Sequence, residues 1–260
     1  MDLFLENKVI IVTGGGRGIG QSICCALSEE RAVPVFVEKD YEAGQLLESN
    51  FKNKGADCLF IHRDLSQPDA CKAIVELTLE KYGSIDGIVN NAGVNDGVGL
   101  ENGCPSDFEK SLSTNLLHYY NLVHYALPAL KKSEASIVNI SSKTALTGQG
   151  NTSGYAGSKG AQLALTREWA VELAKYNIRV NAIVPAEVMT PQYEKWINLS
   201  RNKDRVLEEI TQRIPLGKRM TQAKEIASTA IFLLSKQSSH TTGQWFFVDG
   251  GYVHLDRAIN

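Results

Sequence analysis

Short, continuously apolar runs recur along the chain at Val9–Val12, Val35–Val37, Cys58–Ile61, Ile85–Val89, Ser136–Ile140, Arg179–Val184 and Trp245–Val248. Between them lie longer stretches with helical periodicity, near 19–30, 42–53, 68–81, 106–131, 154–175 and 222–234. The short runs predict strands and the longer stretches amphipathic helices. A strand that is apolar throughout is buried on both faces, as in a parallel sheet covered by helices on either side. Strand and helix alternate across residues 1–260 without repeat, low-complexity tract or linker, so the predicted fold is a single α/β domain with a doubly wound parallel sheet. One stretch, 186–221, breaks the rhythm with Pro191, Pro215, two helical patterns and many charges. An insertion after the C-terminal end of a strand sits over the ligand crevice of such a sheet, so a substrate lid is expected there.

Composition narrows the function. Of 260 residues 43% are hydrophobic and 22% charged, which belongs to a globular chain. Lys and Arg number 27 against 29 Asp and Glu, a net charge of −2, so no nucleic-acid partner is expected. The cysteines Cys24, Cys25, Cys58, Cys71 and Cys104 form no C-x-x-C or Cys/His cluster, so neither a metal site nor a disulfide framework is expected. No apolar run approaches the roughly 18–20 residues of a membrane span. The first strand-like run begins at Lys8 and leaves no room for a signal peptide, which points to a soluble, cytoplasmic protein.

The turn Thr13-Gly14-Gly15-Gly16-Arg17-Gly18-Ile19-Gly20 joins the first strand to the first helix. Gly14, Gly18 and Gly20 have G-x-x-x-G-x-G spacing, a relative of the dinucleotide fingerprint of Rossmann-type sheets. Such glycines let backbone amides approach a pyrophosphate at the positive end of the helix. Glu38, at the end of the second strand, can accept hydrogen bonds from the adenosine ribose and would repel a 2′-phosphate, which favours NAD over NADP. Asp40 is an alternative acidic candidate. Arg17 points the other way, because it could reach a 2′-phosphate.

Tyr155-x-x-x-Lys159 opens a helix with both side chains on one face, where an ammonium favours the phenolate and suits Tyr155 to general-base work. Ser142, at the end of the fifth strand, can hydrogen-bond the reacting oxygen. Together these motifs resemble the short-chain dehydrogenase/reductase family over essentially the whole chain. The resemblance implies that Tyr155 takes a hydroxyl proton while hydride passes to the nicotinamide, that Lys159 binds the ribose, and that Asn115 holds a water beside Lys159. It implies adenine contacts at Asp64 and Leu65, and a nicotinamide-side wall from Asn91, Ala92 and Gly93 within Asn90-Asn91-Ala92-Gly93. It also aligns Pro185-Ala186-Glu187-Val188-Met189-Thr190 with a family P-G-x-x-x-T segment, so that Pro185, Val188 and Thr190 border the nicotinamide; Ala186 departs from the usual Gly.

Polar residues crowd the expected substrate end: Asn95, Ser142, Lys143, Gln149, Asn151 and Glu187, with Trp196 in the lid placed to cover a substrate. A site built to hydrogen-bond hydroxyls rejects substrates that lack them. The string from Asn139 to Tyr155, the Pro185–Pro191 segment and the tail Gly250-Gly251-Tyr252-Val253-His254-Leu255-Asp256-Arg257 resemble the L-fucose dehydrogenase branch of the family. That resemblance implies NAD-dependent oxidation of the C1 hydroxyl of L-fucose or a related aldose to a lactone. The alternatives are a 3-oxoacyl or keto reductase or a hydroxysteroid dehydrogenase of the same fold and, from another class, a non-catalytic nucleotide-sensing protein. His118-Tyr119-Tyr120 and His124-Tyr125 are expected to pack at a subunit interface, Trp169 and Trp245 in the core or an interface, and the chain to form a homotetramer.

Overall fold

The computed structural model of the chain describes residues 2–200 and 202–255, apart from the Gln192 side chain. The predicted tail residues Asp256 and Arg257 lie outside the described residues. In chain order the elements are β1 (Val9–Thr13), α1 (Gly18–Glu29), β2 (Val33–Glu38), α2 (Tyr41–Asn53), β3 (Leu59–His62), α3 (Ala70–Tyr82), β4 (Gly87–Asn90) and α4 (Pro105–Leu112). They continue with α5 (His118–Ser133), β5 (Ser136–Ile140), α6 (Thr144–Thr147), α7 (Ser153–Leu173), β6 (Arg179–Pro185), β7 (Val188–Met189), α8 (Pro191–Asn198) and α9 (Lys203–Thr211). Then come β8 (Thr221–Gln222), α10 (Ala223–Leu234) and β9 (Trp245–Val248).

Among the described residues seven strands form one parallel sheet in the order β3-β2-β1-β4-β5-β6-β9. The alternation of side chains in β1 shows why its sequence is apolar throughout. Val9 and Ile11 pack into one core with Ile74 of α3, Leu122 of α5 and Trp169 of α7. Ile10 and Val12 pack into the other with Ile23 of α1, Leu47 of α2 and Ile231 of α10. Both faces are therefore sealed by helices, as the patterning predicts. The strand order reverses between β1 and β4, and at such a switch point the strands' C-terminal ends open a crevice.

The structure departs from the sequence reading in three places. The helix expected over 106–131 is α4 and α5 joined by a π-helical turn, Ser113–Leu117. Within it Asn115 donates from Nδ2 to the Ser111 carbonyl at 3.1 Å, competing for the acceptor that a regular helix would use for its backbone. The short helix α6 follows Ser142 directly. Finally, β7 and β8 pair as a separate two-stranded ribbon, with β7 leading into α8 and β8 into α10. Two-residue strands carry no periodicity to read. Among the described residues no helix is long and apolar enough to cross a membrane.

Candidate active site

A cleft of about 1700 Å³ opens at the C-terminal ends of the strands. Every site residue expected from the sequence lines it except Gly20 and Asn115, which lie directly behind its wall.

One end is built from backbone. Gly14 and Gly18 adopt φ of +63° and +57°, a region that L side chains disfavour. A Cβ on Gly20 would lie 2.1 Å from the Gly14 carbonyl oxygen, so the turn closes this tightly only with glycine there. Buried Thr13 fastens the turn to the β4 loop: its Oγ1 accepts from the Asn91 and Ala92 amides at 2.9 and 3.0 Å. Asn91 Nδ2 returns a bond to the Gly14 carbonyl at 3.2 Å. The result is a preformed concave turn at the start of α1, with the glycine amides at a positive helix end, and it fits a dinucleotide pyrophosphate.

Glu38 closes this end. Its carboxylate accepts from the amides of Gly16, Lys39 and Asp40 at 3.2, 2.8 and 3.1 Å. Arg17 donates to Asp40 Oδ2 at 2.5 Å, while Asp40 Oδ1 caps α2 by accepting from Ala43. Asp40 is thereby given a capping and pairing role, and Arg17 already has an anionic partner. Asp64 folds its own loop by accepting from Ser66, whose backbone amide holds the carboxyl below the usual carboxylate range.

At the other end Ser142, Tyr155 and Lys159 converge. Lys159 is buried and donates from Nζ to the Ile140 carbonyl at 2.7 Å and to the Tyr119 hydroxyl at 3.4 Å. Its Nζ lies 5.4 Å from the centre of the Tyr155 ring. Burial draws the Lys159 pKa down to about 7. The surroundings of half-buried Tyr155 push its phenol up to about 12, against a hydrogen bond with Ser142 that draws it down. The expectation that the ammonium lowers the phenol is thus not met in this structure, because desolvation favours the neutral form of both groups. Behind them Asn115 is fully buried, its Oδ1 accepting from the Val94 amide at 2.7 Å and its carbonyl from Gln162 Nε2 at 2.8 Å.

The substrate-side residues divide into two kinds. Lys143 and Glu187 form an ion pair with side chains 12% and 10% exposed. Tyr193 donates to the second Glu187 oxygen at 2.5 Å, and the Lys143 ammonium sits 4.3 Å above the Tyr252 ring. Asn95 accepts from Thr152 at 2.6 Å. Gln149 and Asn151 stand instead on an exposed loop, Asn151 at φ +52°. Trp196 is 55% exposed and packs edge-on against Tyr193, with ring centres 5.4 Å apart. Thr190 Oγ1 caps α8 by accepting from Tyr193, and Thr190 lies over Gly18. Among the described residues no group of three or more His, Cys, Asp and Glu side chains could hold a metal ion.

The comparisons with known proteins agree with this geometry. A family model of the short-chain dehydrogenases, described as enoyl-(acyl carrier protein) reductase, matches residues 14–253. The chain belongs to the short-chain dehydrogenase/reductase family. It is 37% identical to L-fucose dehydrogenase of Mus musculus over 95% of this chain and 88% of that protein. It is also 35% identical to a 3-oxoacyl-[acyl-carrier-protein] reductase of Thermotoga maritima, over 96% and 99%. The crystal structure of Cj0485 dehydrogenase superposes with TM-score 0.94 at 47% identity, over 100% and 99% of the two chains. L-sorbose reductase from Gluconobacter frateurii, complexed with NADPH and L-sorbose, superposes with TM-score 0.93 at 25% identity over 98% and 100%. As a short-chain dehydrogenase/reductase the protein is an oxidoreductase that uses a nicotinamide cofactor.

The aromatic cluster on α5 needs correction. His118 and Tyr119 are buried inside this chain rather than placed at a surface. His118 borders the cleft, accompanied by the Thr114 carbonyl 3.1 Å from Nε2, and burial lowers its pKa to about 4. Tyr119 donates to the Ile140 carbonyl at 3.2 Å, the same oxygen that Lys159 uses. Only Tyr120, His124 and Tyr125 face outward. Sequence reasoning also missed Thr13, Tyr193 and Tyr252 as site residues. Thr13 directly precedes the glycine turn and Tyr193 follows Thr190 by one helical turn, signals that adjacency alone could have exposed.

Proposed function

We propose that the protein is an NAD-dependent aldose 1-dehydrogenase that oxidises the C1 hydroxyl of L-fucose or a related sugar to its lactone. The observation that carries this reading is the polar wall beside Ser142 and Tyr155, made of the Lys143–Glu187 pair with Asn95, Gln149 and Asn151. An acyl chain or a steroid would use none of the hydrogen-bonding capacity that these groups keep towards the cleft, a source of discrimination against it. The 37% identity with the mouse L-fucose dehydrogenase supports the same substrate class.

In this reading Tyr155 accepts the C1 hydroxyl proton as the C1 hydride is lost, leaving the lactone carbonyl. The nicotinamide, when bound, supplies the hydride acceptor. Ser142 hydrogen-bonds the reacting oxygen. Lys159 binds the cofactor ribose, and Asn115 positions a water behind it. Gly14, Arg17, Gly18, Ile19 and Gly20 surround the pyrophosphate, Glu38 the adenosine ribose, and Asp64 and Leu65 the adenine. Asn91, Ala92, Gly93, Pro185, Val188 and Thr190 border the nicotinamide. Trp196 covers an apolar face of the sugar, and residues 186–221 act as its lid. Glu38 and the Asp40-paired Arg17 are the grounds for NAD over NADP. The exposed Tyr120, His124 and Tyr125 support a homotetramer, and the assigned location is the cytoplasm.

A screen of aldoses with NAD and with NADP, following reduced nicotinamide, tests the reading: L-fucose or a close relative with NAD is expected to give the highest kcat/KM. The similarity to the Thermotoga maritima reductase favours a second reading, reduction of a 3-oxoacyl group, and turnover confined to 3-oxoacyl thioesters would establish it. An intact Ser142, Tyr155 and Lys159 in one cleft argues against a nucleotide sensor without catalysis.

A further inference from the structure

The ion pair at the substrate end is built from three distant parts of the chain. Lys143 follows Ser142 directly, and its amide donates to the Pro185 carbonyl at 2.9 Å, which draws the two segments together. Glu187 lies two residues beyond that carbonyl. Tyr193 arrives from α8 and Tyr252 from the turns after β9. Both charged side chains are largely withdrawn from water, which is unfavourable unless their remaining hydrogen-bonding capacity is used. One Glu187 oxygen receives the Tyr193 hydroxyl and the other the Lys143 ammonium. The phenol of Tyr193 is pushed up by burial and by this carboxylate, so it stays a donor.

Donor and acceptor therefore stand side by side next to Ser142. An ammonium has three N–H donors and a carboxylate oxygen more than one acceptor site, so the pair has capacity left towards the cleft. A neighbouring hydroxyl group matches such a pair because it accepts from one member and donates to the other. A carbonyl or thioester can only accept, and a methylene does neither.

We propose that Lys143 and Glu187, held in place by Tyr193 and Tyr252, form a subsite for a hydroxyl vicinal to the one being oxidised, so that the enzyme selects vicinal diols such as the C1–C2 pair of an aldose. The proposal rests on the aldose reading above and specifies which feature of the sugar is recognised. It explains why a buried ion pair sits where apolar packing would suffice for a simple alcohol.

The experiment compares kcat/KM for L-fucose and 2-deoxy-L-fucose with NAD, in the wild type, in the double variant Lys143→Met/Glu187→Gln and in Tyr193→Phe. The double change avoids leaving one charge buried without its partner. Wild type is expected to prefer L-fucose by about a hundredfold or more, in keeping with the rejection of analogues that leave a polar site unpaired. The double variant is expected to lose most of that preference, to within about fivefold, mainly through its rate on L-fucose. Tyr193→Phe, which removes only one hydroxyl and keeps the charges, is expected to fall between. NADH binding followed by fluorescence checks that each variant is folded. If wild type turns over both sugars equally, the diol subsite is wrong while the aldose reading stands. An unchanged preference in a folded double variant also overturns it. Failure of wild type on every aldose overturns the parent reading and this one with it.

Discussion

The two ends of the cleft are made of different material. At the glycine-turn end the surface is backbone, fixed by neighbours close in sequence or on adjacent strands: Thr13 ties the β4 loop, Gly20 leaves room for the Gly14 carbonyl, and Glu38 gathers three amides. At the Lys143–Glu187 end the surface is side chains brought from residues 143, 187, 193 and 252, some buried in an ion pair and others, such as Gln149 and Trp196, exposed. Rigid backbone suits a ligand that never changes. Side chains on separate segments can be exchanged without disturbing the sheet, and that is where relatives sharing this fold can differ in substrate.

The comparison breaks most sharply at the junction of the two ends. Tyr155→Phe is expected to lower kcat by about 10²–10⁴-fold, the usual worth of a positioned proton acceptor, while leaving NADH binding unchanged. Single-turnover kinetics and fluorescence titration read the two quantities separately. A variant within threefold of wild-type kcat would remove Tyr155 from the proposed role.

Lys159 gives a pH signature in the protein alone. In the unfolded chain it keeps its proton to near pH 10.5, whereas in the folded state it releases it near about 7. Between those values the unfolded state binds more protons, so this site's contribution to stability rises with pH. Lys159→Met has no proton to lose. The stability of wild type relative to this variant should therefore grow as pH goes from about 7 to 10, measured by denaturant unfolding. A difference independent of pH would mean that Lys159 is ordinarily solvated.

Two substitutions contrast the ends directly. Gly20→Ala forces a Cβ against the Gly14 carbonyl and is expected to cost about 1–3 kcal/mol of stability as overpacking, together with cofactor affinity. Gln149→Ala should leave stability and NADH binding untouched and raise the barrier for the sugar by only about 0.5–1.5 kcal/mol, because its side chain starts in solvent. Denaturation midpoints and kcat/KM separate these outcomes. A larger loss in the loop variant than in Gly20→Ala would reverse the contrast.

The same division decides how much was legible in the sequence. The sheet, its covering helices and the glycine turn follow from local patterns: β1 is apolar at every position because Val9 and Ile11 face one core and Ile10 and Val12 the other. Tyr155 and Lys159 are one helical turn apart, so their meeting is local too. Tyr252 could not be read this way, because nothing in a single chain pairs position 143 with 252 until the segments fold together, and the helical turn that sets Tyr193 beside Thr190 does not reveal its bond to Glu187. Tyr119 misled for a related reason. An aromatic residue in an aromatic-rich helix suits an interface as well as a core, and only the turn of α5 places it beside Lys159. The opposed pKa movements of Tyr155 and Lys159 likewise depend on burial, which residue spacing does not carry.

The most direct test of the account compares kcat/KM on L-fucose, a 3-hydroxyacyl thioester and a hydroxysteroid, each with NAD, by the appearance of reduced nicotinamide. The polar wall predicts that L-fucose or a related aldose is oxidised well and the two others poorly. Robust oxidation of the thioester or the steroid, with no turnover of any aldose, would contradict the sugar assignment.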